Sequence, residues 1–249
     1  MALWSDGSGD WWTDIKDQFY LNFIKDDRYK YILKGLGVTL EVTFFAVLLG
    51  IALGVIVAII RSTHDKLVTD MRVGPARFIL NFLDSVVKLY LTVIRGTPVV
   101  VQLMIAYFVI FSTSKNKVLV AILAFGINSG AYVAEIIRSG IMSIDNGQFE
   151  AGRSLGFNYV QTMTYIIIPQ AFKNVLPALA NEFIVLLKET SVSGYIGLED
   201  MTKGGDIIRS RTYSAFMPLL AVALIYLVIV VFFSRLVSIL ERRLRNSER

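Results

Sequence analysis

Charged side chains divide this chain into long apolar runs. Residues 42–60 lie between Glu41 and Arg61 without a charge, 96–114 between Arg95 and Lys115, 118–134 between Lys117 and Glu135, and 212–234 between Arg211 and Arg235. A helix that crosses a bilayer needs ~20 mostly apolar residues. Four such runs in one chain predict membrane-spanning helices over about 35–60 (first), 78–111 (second), 118–140 (third) and 214–240 (last). The second is longer than a bilayer is thick at ~1.5 Å per residue, so 78–88 reads as a cytoplasmic extension. Gly96 and Pro98 should break that helix, because proline has no amide donor and clashes with the preceding turn. Such a break survives in lipid only where the freed carbonyls find protein or water. Gly50 and Gly54 have the four-residue spacing of a helix-contact motif.

Basic residues flank these runs. Arg61, Lys66, Arg72 and Arg77 follow the first, and Arg235, Arg242, Arg243, Arg245 and Arg249 follow the last. The positive-inside bias puts both clusters in the cytoplasm. The segment 1–33 carries Asp6, Asp10, Asp14, Asp17, Asp26 and Asp27 and reads as outside, with Trp4, Trp11, Trp12, Phe19 and Tyr20 suited to a membrane interface. An N-out, C-in chain needs an odd number of spans, so a fifth is expected at 173–197. That segment holds Pro177, Asn181, Glu182, Lys188, Glu189 and Gly194. Its charges should face a protein interior or a wet cavity.

Composition agrees: 55% of residues are hydrophobic and 18% charged. The net charge of +5 sits beside the apolar runs, which points to membrane lipid and not to nucleic acid. With no cysteine, disulfides and cysteine metal sites are excluded. The N-terminus lacks the basic, apolar and cleavage order of a signal peptide. No P-loop is present. His64, the single histidine, reads as a solvated surface residue, and Gly204-Gly205 as a turn. Residues 198–213 read as an outside loop, and 148–165 as short cytoplasmic helices.

Residues 150–169, EAGRSLGFNYVQTMTYIIIP, resemble the coupling (EAA) loop of permease subunits of ABC importers. The family pattern is Glu-Ala-Ala, three residues, Gly, nine residues, Ile-x-Leu-Pro. Glu150, Ala151, Gly156, Ile166 and Pro169 match it, while Gly152 replaces the second Ala and Ile168 the Leu. Further motifs narrow the resemblance to polar amino acid permeases of the histidine, glutamine and arginine type. They are Gly37-Val38-Thr39-Leu40, Arg95-Gly96-Thr97-Pro98 with Gln102-Leu103, Asn128 to Glu135, Gly147-Gln148, Leu176-Pro177, Asn181-Glu182 and Leu187 to Ser191.

The resemblance implies an all-α permease of the type I importer fold over 34–241, with a coupling loop at about 148–169 and a basic tail at 242–249. It implies a homo- or heterodimer, two separate ATPase subunits that hold the ATP and magnesium, and an extracytoplasmic amino acid-binding protein. This chain would itself be neither an enzyme nor a cofactor carrier, and would sit as a multi-pass protein in a bacterial cytoplasmic membrane. Glu150, Ala151, Gly152, Gly156 and Pro169 would couple to the ATPase. Glu150 could favour a helix N-terminus, the glycines would allow a turn or close approach, and Pro169 would stop a helix.

A transported zwitterion needs an acceptor for its ammonium and donors for its carboxylate. Glu182 is the candidate acceptor, and could also hold a basic side chain. Arg95 and the backbone near Thr97 are candidate carboxylate donors. Ser129 and Tyr132, three apart, share a helix face. Glu182 could instead form a structural ion pair with Lys188 or Arg95, and Arg95 could anchor a helix at the interface. Glu135 and Arg138 are spaced to pair with each other. Two other classes remain open, a secondary transporter without an ATPase and an intramembrane enzyme. The absence of a second repeat and of a paired nucleophile and base argues against them.

Overall fold

The computed structural model describes residues 11–68 and 71–246, and these are helical with no strand among them. Trp4, Asp6, Asp10 and Arg249, part of the charge argument above, lie outside the described residues. The helices are α1 (Trp11–Phe19), α2 (Tyr29–Leu67), α3 (Pro75–Gly96), α4 (Val99–Ile105), α5 (Lys117–Met142), α6 (Asn146–Ser154), α7 (Tyr159–Thr162), α8 (Ile168–Glu189), α9 (Met201–Thr212) and α10 (Phe216–Asn246). Three of them are long and apolar enough to cross a membrane: α2, α5 and α10 over Phe216–Leu244. A fourth is formed by α3 and the segment Val99–Ile110 if that pair, bent by 108°, is one span. The expected fifth corresponds to α8, which runs 22 residues (~33 Å at about 1.5 Å per residue) but is too polar to join them.

α5 is the central helix, and it packs most closely on α2. Glycines four apart on both helices let the backbones approach. A Cβ at Gly50 would stand 2.8 Å from Ser129 Oγ, and one at Gly54 would strike Val133. From the other side, Gly126 receives Leu49 at 2.6 Å and Gly130 receives Leu53 at 3.0 Å. The Gly50/Gly54 motif therefore has a partner motif at Gly126/Gly130. Around this seam Val42, Ala46, Leu103, Ala121, Phe125 and Leu186 form one apolar cluster that joins α2, α4, α5 and α8. By contrast α10 leaves Leu227, Val228 and Phe232 exposed.

The segment 198–213 is not the expected loop. It holds α9, whose N-cap Asp200 accepts the amides of Thr202 and Lys203 at 3.1 Å each. Burial pushes the Asp200 carboxyl up, and the amides it caps pull it back. Gly204 lies within this helix and lets it close on the carbonyl of Tyr31, so its glycine serves contact and not a turn. His64 is also not a solvated residue. Its side chain is 17% exposed, with Nε2 3.1 Å from Asn81 Oδ1 and Nδ1 3.6 Å from Asp84 Oδ2. Asp84 is further held by Arg61 and Lys88, each at 2.8 Å, which closes α3 onto α2.

Adding a side chain in the glycine seam should separate α2 from α5. Gly50→Leu should cost about 1–3 kcal/mol by overpacking, read as a lower Tm of the detergent-solubilised protein. Gly37→Ala, with nothing within 4 Å of its Cβ, should leave Tm unchanged or slightly raised. Equal effects of the two would show that the seam is not tight.

Candidate functional site

The break between α3 and α4 has a defined cause and a defined repair. α3 ends at Gly96 and Pro98 starts the next helix in extended geometry (φ −65°, ψ 136°). The carbonyls freed by the bend are capped by one side chain. Gln102 Nε2 donates to the carbonyl of Ile94 at 2.8 Å and of Thr97 at 3.1 Å, and lies 2.8 Å from Thr97 Oγ1. Thr97 Oγ1 in turn donates to the carbonyl of Val93 at 2.8 Å. The other end of the Gln102 amide accepts from Asn128 Nδ2 at 2.9 Å, so the bend is tied to the middle of α5. Sequence reasoning noted Gln102 and Asn128 within motifs but gave them no role. The signal available was a glutamine four residues beyond a helix-breaking proline.

The five substrate candidates fall into separate groups. Glu182 on α8, 8% exposed, accepts a hydrogen bond from Ser129 Oγ at 2.9 Å. Ser129 is itself fully buried at the seam opposite Gly50. Glu182 has no ion-pair partner among the described residues, so the ion pair with Lys188 or Arg95 is not formed. Arg95 is instead 3.6 Å from Glu135 and places its guanidinium 5.8 Å from the Tyr132 ring centre, within cation–π range. Tyr132 is exposed and Ser129 buried, so one turn of α5 sends them to different surroundings. Glu135 and Arg138 do not pair. Arg138 donates to Asp65 of α2 at 3.1 and 3.2 Å. A cross-helix partner wins because each charge meets a residue of opposite sign on a neighbouring helix.

Residues 145–169 form a compact hairpin. Asp145 caps α6 by accepting from the Gly147 amide at 2.6 Å, so the cap is Asp145 and not Glu150, which lies mid-helix and exposed. Gly156 reverses the chain at φ +80°, in the left-handed region that favours glycine. α7 opens with a capping box of Asn158 and Gln161. Pro169 lies in the first turn of α8, which continues from α7 through the π-helical turn Met163–Ile167, so it does not stop a helix. Phe149 anchors the hairpin inward, in a cluster with Ile141, Ile167 and Ala171. Ala151, Leu155, Val160 and Tyr165 are left exposed on its surface. Gly152 is buried, and a Cβ there would lie 2.7 Å from both Thr162 Oγ1 and Cγ2. Thr162 thus fills the space of the second alanine's methyl. The departure at 152 belongs to the fit of α6 on α7.

A bundle of long apolar helices with one broken helix, a buried carboxylate between two others and an exposed hairpin between those same two has the architecture of a membrane transport component. The chain belongs to the family of binding-protein-dependent transport system inner membrane components, whose model matches residues 73–246. It is 36% identical over 217 residues to a putative glutamine transport system permease protein of Rickettsia typhi, covering 86% of this chain and 93% of that one. It is 36% identical over 221 residues to the arginine transport system permease protein of Bacillus subtilis, covering 88% and 94%. A solved amino acid ABC transporter, described as being with histidines, superposes with TM-score 0.77 at 42% identity, over 89% of this chain and 98% of that one. The MetNI methionine transporter, at TM-score 0.71 and 19% identity, shares the fold. The family is a transporter membrane component and not an enzyme.

Gln102→Leu should remove the cap from two carbonyls and the acceptor from Asn128. Leaving the buried Asn128 amide unpaired costs about 1–3 kcal/mol. The expected result is a lower Tm. A Tm unchanged in Gln102→Leu would show that the bend does not depend on this side chain.

Proposed function

We propose that this chain is the membrane-spanning subunit of an ATP-driven importer for a polar amino acid, basic ones included, in a bacterial cytoplasmic membrane. The observation that carries the reading is the covalent path from site to hairpin. α5 holds Ser129 and α8 holds Glu182, and the hairpin 145–169 joins the two helices. The names of the relatives, glutamine and arginine permeases among them, support the substrate class.

In this reading α8 is the fifth span, the N-terminus is outside and the C-terminus inside. Two permease chains, identical or related, pair to make the pore. Two ATPase subunits dock on the two hairpins and bind the ATP and magnesium, and an extracytoplasmic binding protein delivers the amino acid. Exposed Glu150, Ala151, Leu155 and Val160 contact the ATPase. Gly152, Gly156 and Pro169 act by shaping the hairpin. When the ATPases close, the hairpin moves as one body because Phe149 and the α6–α7 fit hold it rigid. That motion reaches α5 and α8 together and opens or closes the space between them.

Glu182 accepts the substrate ammonium or a basic side chain in exchange for the Ser129 hydroxyl. In a site shielded from water, that ionic hydrogen bond is stronger than the neutral one it replaces. Arg95, with Thr97 at the bend, faces the carboxylate end, and Tyr132 orients Arg95.

Two substitutions test this reading in vesicles that contain the permease, its ATPase and the binding protein. Leu155→Glu, at an exposed site, should leave the permease folded but abolish co-purification with the ATPase. Glu182→Gln should keep the complex and lower substrate-stimulated uptake about tenfold or more, the effect of losing one charged hydrogen bond of about 1.5–3 kcal/mol. An intact complex with Leu155→Glu would remove the docking assignment, and wild-type uptake with Glu182→Gln would remove Glu182 from the site.

A further inference from the structure

A cavity of about 480 Å³ lies beside the hairpin, between the C-terminal ends of α2 and α5 and the start of α6. That volume is within the range of about 300–1,000 Å³ usual for small-molecule sites. One side of it is polar, with Ser62, Asp65, Lys66 and Arg138, and the other is apolar, with Ile141 and Met142. Three observations set its chemistry. Ser62 is 7% exposed, and its Oγ is buried without a hydrogen-bond partner. Lys66 Nζ reaches only a neutral amide oxygen, Asn146 Oδ1 at 3.2 Å, and the face of the Phe149 ring at 4.3 Å. It has no carboxylate partner among the described residues. Arg138 and Asp65 neutralise each other. The cavity therefore carries one uncompensated positive charge and one free hydroxyl.

We propose that this cavity binds the phosphate headgroup of an acidic phospholipid, with Lys66 and Ser62 as its ligands. A phosphodiester carries a single negative charge and matches the single free cation. The apolar wall of Ile141 and Met142, the latter 62% exposed, suits the start of an acyl chain and offers nothing to a free ion. The position agrees as well. Both helices reach the cavity just beyond their charge-free runs, at the edge where a bilayer's headgroups lie. Basic pockets between spanning helices on the cytoplasmic side are general sites for acidic headgroups. A headgroup there would touch α2, α5 and the first turn of the hairpin at once, so it would stiffen the link between pore and ATPase. This reading rests on the cytoplasmic placement of the hairpin in the function proposed above.

The test uses the complex with its ATPase, purified from bilayers of mixed phosphatidylglycerol and phosphatidylcholine. The readout is phosphatidylglycerol retained per permease, by lipid extraction and mass spectrometry. Wild type should retain it in preference to phosphatidylcholine. Lys66→Met should lower retention about fivefold, which corresponds to ~1 kcal/mol per basic side chain at an acidic surface. Ser62→Val should also lower it, and reads the same cavity if Lys66→Met fails to fold. Arg242→Gln, an exposed cation elsewhere, should change nothing. Equal retention by wild type, Lys66→Met and Ser62→Val would overturn the proposal, as would an equal drop with Arg242→Gln. Displacement of the lipid by millimolar inorganic phosphate would assign the site to a free anion and overturn the lipid reading. Retention is measured without transport, so failure of the amino acid assignment in uptake assays is a separate result.

Discussion

The close packing of α2 on α5 through Gly50, Gly54, Gly126 and Gly130 is the constraint on which the rest of the structure depends. Lipid tails are as apolar as leucine, so burying apolar area does not drive two helices together in a bilayer. Close backbone approach does, through many dispersion contacts and polar pairs at short range. At this seam the approach has a second effect. It buries Ser129 against Gly50 and leaves its hydroxyl only one direction, toward Glu182 on α8. The seam also takes the hydroxyl of Tyr90, which donates to the carbonyl of Ile127 at 2.6 Å and so fixes α3 to α5. Four helices, α2, α3, α5 and α8, meet at one pair of glycine motifs.

Several polar groups inside this bundle are met by a group on another helix. Gln102 serves carbonyls freed by the bend and is itself met by Asn128. Asp84 of α3 meets Arg61 of α2, and Asp65 of α2 meets Arg138 of α5. Glu182 meets a neutral hydroxyl of α5, where Asp84 and Asp65 meet cations. A carboxylate without a cationic partner is costly in a membrane protein, and the function proposed above gives Glu182 a visiting ligand as that partner. The same logic marks Lys66, whose ammonium meets an amide oxygen and an aromatic ring.

Much of the membrane plan was legible in the chain because it depends on local sums. A charge-free run of sufficient length becomes a helix wherever it lies, and α2, α5 and α10 contain the runs that announce them. The break at Gly96 and Pro98 was equally legible, since a proline removes a donor whatever its surroundings. The spacing within the hairpin 145–169 survived as a motif because a turn, a capping box and a proline are all local devices. α9 escaped notice for a related reason. Its glycines carry a turn signal in sequence, and only their contact with Tyr31 and Val222 shows that they serve packing.

Partner choice was not legible. Glu135 and Arg138 satisfy the spacing for a pair on one helix, yet each finds a closer partner across a helix boundary. Ser129 and Tyr132 satisfy the spacing for a shared face, yet one is buried and the other exposed. His64 looks solvated in its basic segment, yet α3 folds over it. The sequence by itself determined which helices are long and apolar enough to cross a membrane, where one of them breaks and which family the chain belongs to, because backbone hydrogen bonding and hydropathy act over neighbouring residues. Only the tertiary structure decided which polar side chains meet, because a hydrogen bond or an ion pair depends on separations of about 3 Å between residues that are distant in the chain.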